Sequence, residues 1–75
     1  MAESQSRKKF VELAEKRVVR TIRDIRLIGN LSNRSNYSYT EEDARKIYRA
    51  LRAEIDAMKA RFEAKGEAER PVFKL

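Results

Sequence analysis

The amino-acid sequence predicts an all-α fold: an antiparallel two-helix hairpin that completes a four-helix bundle by pairing with a second copy or with another protein. Three observations carry this. Apolar residues recur at steps of three and four through two long stretches, a polar break at 29–39 separates them, and the 75 residues contain only two Gly and one Pro. Steps of three and four return to one face at about 100° per residue, so each stretch reads as an amphipathic helix with one apolar stripe. A lone hairpin of this size leaves much of both stripes wet, and small scaffolds without staples turn to oligomerisation. The chain has no Cys and no His. Disulfides are therefore out, and the usual structural zinc sites lack their ligands. With 40% charged and 41% hydrophobic residues, the composition is that of an ordered helical chain, expected as one domain over 1–75.

The first helix is expected at about 6–28. Residues 1–5 are polar and expected to fray, with Ser4 or Ser6 capping the free backbone amides that follow. Val11, Ala14, Val18, Thr21 or Ile22, Ile25 and Ile28 share the apolar stripe, with Phe10 on its flank. Lys9, Lys16, Arg20 and Arg23 lie within about 60° of one another on the opposite face, with Arg26 to one side. Between Arg7 and Arg26 there are eight basic residues against three acidic ones, whereas Glu41 to Arg70 balances at eight of each. The first helix is the cation, and it carries most of the net charge of +6. Glu12 with Lys16 and Asp24 with Arg20 are spaced to pair, each worth about 0.2–0.5 kcal/mol. Neither pairing cancels the surplus.

The break at 29–39 is longer than bundle helices usually need. Gly29, and Asn30 after it, can take the left-handed conformation that ends a helix. Three Asn-X-Ser triplets begin at Asn30, Asn33 and Asn36. They match a glycosylation acceptor pattern but read as turn chemistry, because Asn and Ser side chains bond nearby backbone in turns. Leu31, Tyr37 and Tyr39 are expected to close one end of the core with the hydroxyls outward. The second helix is expected at about 40–65. Thr40 followed by Glu41, Glu42 and Asp43 marks its start, and Gly66 its stop.

Tyr48, Leu51, Ile55, Met58 and Phe62 form a heptad seam, and alanines fill many other positions. Each helix would be ~35–40 Å long, a match for antiparallel packing. Val11, Val18, Ile25 and Ile28 of the first helix face Tyr48, Leu51, Ile55, Met58 and Phe62 of the second in the expected core and oligomer seam. In the tail, 66–75, Pro71 disfavours helix. Phe73 there is expected either to dock on the hairpin's own core or to serve as an apolar peptide for a partner's groove.

Catalytic chemistry finds little support. Nucleophilic triads need His or Cys, and the chain has neither. Glu41, Glu42 and Asp43 suit the positive end of a helix dipole better than a metal ion. The Gly29-Asn30 break lacks the ending of a phosphate-cradling loop. No enzyme, cofactor, metal or small-molecule substrate is expected. A membrane-surface role is disfavoured because the chain has no Trp and the aliphatic stripe has a competitor in the second helix. The amino-terminal residues lack the apolar core of a secretory signal, and no run of about 18 apolar residues occurs. A cytoplasmic protein is expected.

The run Arg26-Leu27-Ile28-Gly29-Asn30-Leu31-Ser32-Asn33-Arg34-Ser35-Asn36-Tyr37, followed by Tyr39-Thr40-Glu41-Glu42, resembles a stretch in small uncharacterised bacterial helical proteins carried by plasmids or phages. It covers about a quarter of the chain. That group has no assigned activity, so the resemblance implies no site residues. In architecture the chain also resembles small basic helical hairpins that bind RNA, which implies nothing about function by itself.

Two functions are expected from the residues. In the first, the protein associates with RNA or DNA: Lys9, Lys16, Arg20, Arg23 and Arg26 meet phosphates along one helix, with Arg34 and Tyr37 near the strand. In the second it is an adaptor or regulatory subunit that docks on a larger protein through the heptad seam and the Asn/Ser/Tyr loop. The bland alternative for the basic face is a solvated surface that keeps the protein soluble.

Overall fold

The computed structural model describes residues 4–65. It is all-helical, with helices α1 (Gln5–Gly29) and α2 (Glu41–Glu63), a short 3₁₀ turn Asn30–Ser32 following α1, and no strand among the described residues. The chain divides into two units, Met1–Ser38 and Tyr39–Leu75.

In the first unit, α1 starts because Ser4 takes an extended conformation and its hydroxyl accepts from the Arg7 N–H at 3.1 Å. Of the two serines offered by the sequence, Ser4 is the cap, and Ser6 Oγ lies 3.1 Å from Ser4 Oγ. This satisfies one of the four amides a helix start leaves open. Within α1 the Thr21 hydroxyl donates to the Arg17 carbonyl at 2.8 Å, and the Arg7 guanidinium sits 5.8 Å from the centre of the Phe10 ring.

The end of α1 differs from expectation. Gly29 is right-handed, φ −58° and ψ −31°, and Asn30 is too, at φ −65° and ψ −19°. Neither terminates the helix through a left-handed cap. The Asn30 N–H still reaches the Arg26 carbonyl, and the chain then tightens into the 3₁₀ turn, which is the other way to satisfy a helix's last carbonyls. The exit comes at Asn33, whose ψ of 99° is extended.

Asn33 then organises the turn. Its side-chain Oδ1 accepts from the Ser35 N–H at 3.0 Å, and its carbonyl accepts from the N–H groups of Asn36 at 3.1 Å and Tyr37 at 3.0 Å. Of the three Asn-X-Ser triplets, this one shows the turn chemistry directly.

In the second unit, α2 begins at a reciprocal cap. Thr40 Oγ1 accepts from the Asp43 N–H at 3.1 Å, while the Thr40 N–H donates to Asp43 Oδ2 at 2.9 Å. Two open donors are closed by two side chains. Glu41, Glu42 and Asp43 also place negative charge at the positive end of the helix. Glu42 does more than that, because its carboxylate takes Arg45 at 3.4 Å and Arg49 at 2.9 Å.

The helix ends at Glu63, two residues short of the expected 65, with Ala64 as its C-cap. Lys65 itself is left-handed, φ 57°, with its N–H on the Phe62 carbonyl at 2.9 Å. That is the inner bond of a left-handed C-terminal cap. The expected stop at Gly66 and the tail with Pro71 and Phe73 lie outside the described residues.

No described residue is buried. Of the expected seam, Val11, Ile28 and Leu51 are half-buried, whereas Val18, Ile25, Tyr48, Ile55, Met58 and Phe62 are exposed. Tyr39 is half-buried, and Leu31 and Tyr37 are exposed. Among the described residues, no helix is long and apolar enough to cross a membrane.

Candidate nucleic-acid interface

The site is built on α1, in the first unit. A 25-residue helix with no break holds the wheel positions that the spacing implies, so Lys9, Lys16, Arg20 and Arg23 occupy one face and Arg26 its edge. All five are exposed. Glu12 and Leu13 border that face on either side, Glu12 exposed and Leu13 half-buried.

Lys16, Arg20 and Arg23 come together along a shallow depression of about 420 Å³, lined also by Glu15 and Val19. Val19 adds an apolar surface to the lining and Glu15 a carboxylate. The spacing of the cations singles out neither. On the helix surface Val19 stands three steps from Lys16 and four from Arg23, and Glu15 four steps from Val19.

Charge pairing within the face is sparse. Lys16 Nζ meets Glu12 Oε1 at 3.1 Å, as its spacing implies, with both side chains largely exposed. Such a pair is weak and yields readily to a competing anion. The expected partner of Arg20 is not engaged: among the described residues no ion pair joins Arg20 to Asp24. Lys9, Arg23 and Arg26 likewise have no carboxylate within ion-pair distance among the described residues. The contrast with α2 is informative, because there Glu42 alone occupies two arginines.

The chemistry available to this face is anion binding. Each guanidinium offers a planar fork that matches two oxygens of a phosphate, and each ammonium a point charge. Arg34 and Tyr37 stand apart from the helix face, on the turn that Asn33 holds, and both are exposed. The structure thus gathers Lys16, Arg20 and Arg23, sets Lys9 in line with them and Arg26 at the edge, and places Arg34 and Tyr37 in a separate element of the same unit.

Among the described residues no three or more Asp, Glu, His or Cys side chains are grouped to hold a metal ion. The Asp43 carboxyl is held below its ordinary range, through the Thr40 backbone N–H first and the Thr40 side chain second. It belongs to the helix cap and not to this face.

No family model matches the chain, and neither a curated protein nor a solved structure matches it.

Proposed function

We propose that this chain is a small, non-enzymatic, cytoplasmic protein that associates with nucleic acid through the basic face of α1. The observation that carries the reading is the cluster of Lys16, Arg20 and Arg23 along one depression, where Arg20 and Arg23 are in no ion pair among the described residues and Lys16 is held only by the exposed Glu12. A face that served only for solubility would interleave charges of both signs, as the first half of α2 does with Glu42, Arg45 and Arg49. Self-association completes the assembly in this reading, two copies forming a four-helix bundle. That arrangement covers the apolar stripes while the cations, on the far side of α1, stay outward. The resemblance of the 26–42 stretch to plasmid- and phage-borne helical proteins is compatible with this and adds no residue to the site.

The test is fluorescence anisotropy of labelled oligonucleotides over a salt series. Affinity is expected to fall steeply with salt and to drop at least tenfold when Lys16, Arg20 and Arg23 are all changed to Glu, with far-UV circular dichroism showing the helices retained. Salt-independent binding, or undiminished binding by the triple variant, refutes the reading.

A second reading, an adaptor that docks on a larger protein, draws on a different observation. Tyr48, Ile55, Met58 and Phe62 of the α2 seam are all more than half exposed, and Tyr37 is 49% exposed on its turn. Capture of a protein partner that survives nuclease treatment and is lost in an Arg34→Ala, Tyr37→Ala variant favours this reading over the first.

A further inference from the structure

The composition of the α1 face narrows the class of nucleic acid. Between Lys9 and Arg23 it offers two ammonium groups and two guanidinium groups, bordered by Glu12 and Leu13, and it has no aromatic ring, amide or hydroxyl there. Single strands are held by pairing a cationic groove with aromatic side chains on which successive bases stack, each worth about 1–3 kcal/mol. This face has nothing to stack with: Phe10 lies on the flank of the apolar stripe, around the helix from the cations, and its ring is met by Arg7. Tyr37 is one ring on a separate turn. Base edges in a groove are read with Asn, Gln, Ser or Thr as well as with Arg. None of the first four lies on the face between Lys9 and Arg23, so sequence readout has few instruments. What the face can do is neutralise phosphates.

Resting on the nucleic-acid reading above, we infer that the partner of this face is a double helix held by its phosphates without regard to sequence. From Lys9 to Arg23 the axis advances about 21 Å at 1.5 Å per residue. That matches about six phosphate steps of one strand at 3.4 Å, or roughly half a turn of duplex, about as far as a straight rod follows a curving backbone. Charge density then sets the salt dependence expected for a duplex and for a single strand. Four contacts give a slope of log affinity against log salt of about −3.6 on B-form duplex and about −2.8 on a single strand. Between 50 and 200 mM salt these correspond to losses of about 150-fold and about 50-fold.

The experiment titrates the full chain into two 20-base-pair DNA duplexes of unrelated sequence, a 20-base-pair RNA duplex and a 20-nucleotide oligo-dT strand, each over a salt series. Tighter binding of at least one kind of duplex than of oligo-dT supports the inference, provided that the two DNA sequences agree within about threefold. The DNA and RNA arms then tell which helix is preferred. Tighter binding of the single strand overturns it, as does a tenfold preference between the DNA duplexes, and either result leaves the nucleic-acid reading standing. Binding to none of the four at 50 mM salt removes both.

Discussion

Replacing Thr40 by Ala should loosen the start of α2 in a way that can be read residue by residue. The substitution removes the Oγ1 acceptor that takes the Asp43 N–H at 3.1 Å, and with it the side chain that holds the reciprocal bond in register. Loss of a Thr cap costs about 1 kcal/mol, within a usual span of 0.5–2. The cost falls on the first turn, because helix ends open locally without the rest of the structure. About 1 kcal/mol is a factor of about five in the opening equilibrium of the first turn. Amide hydrogen exchange at Asp43 and Ala44 should therefore quicken about fivefold, and far-UV helicity should fall. Thr40→Ser, which keeps the oxygen, should restore both. Unchanged exchange at the first turn of α2 in Thr40→Ala at neutral pH would refute the cap as the source of order there.

The remaining predictions concern pH and the ends of the helices. The Asp43 carboxyl is held below its ordinary range, chiefly by the Thr40 N–H and next by the Thr40 side chain. A carboxyl lowered in the folded state stabilises it above the unfolded pKa of about 3.9, and that contribution is lost as pH falls through the lower folded value. Helicity of the native chain should accordingly dip in acid more than that of Asp43→Asn. Gly29 is right-handed, and a methyl group added there would meet nothing within 4 Å, so Gly29→Ala should stabilise α1 by about 0.4–1 kcal/mol. Lys65 is left-handed at φ 57°, so Lys65→Gly should stabilise the end of α2, by up to about 1 kcal/mol. Thermal melts followed by circular dichroism read both, and destabilisation by either contradicts the backbone conformation at that residue. Asn33→Ala should free the Ser35 amide to exchange, at a cost of about 1 kcal/mol or less, while helicity of α1 and α2 stays the same.

Much of this architecture is legible in the sequence because the signals are local. The three- and four-residue spacing fixes both helices, and Thr40 followed by three acidic residues fixes where the second begins, since a cap is made by residues three apart. The cationic face of α1 is legible for the same reason. Gly29 misleads because glycine permits a left-handed stop without demanding one. Whether the chain uses it depends on where the last carbonyls find donors, and here a 3₁₀ turn supplies them. The double engagement of Glu42 is open to reading at three and seven steps, but carboxylates at a helix start draw attention to the dipole first. Burial is another matter: spacing shows which residues share a stripe, and it does not show what covers them.

The hydroxyl of Thr21 sits in the aliphatic stripe of α1, and it is already spoken for by the Arg17 carbonyl one turn back. A surface closing over that stripe would not strand this donor, and so avoids the penalty of about 1–3 kcal/mol for leaving one unmade away from water. Whatever comes to lie there can be plain hydrocarbon at this point. The helix has settled its own polar debt before any neighbour arrives.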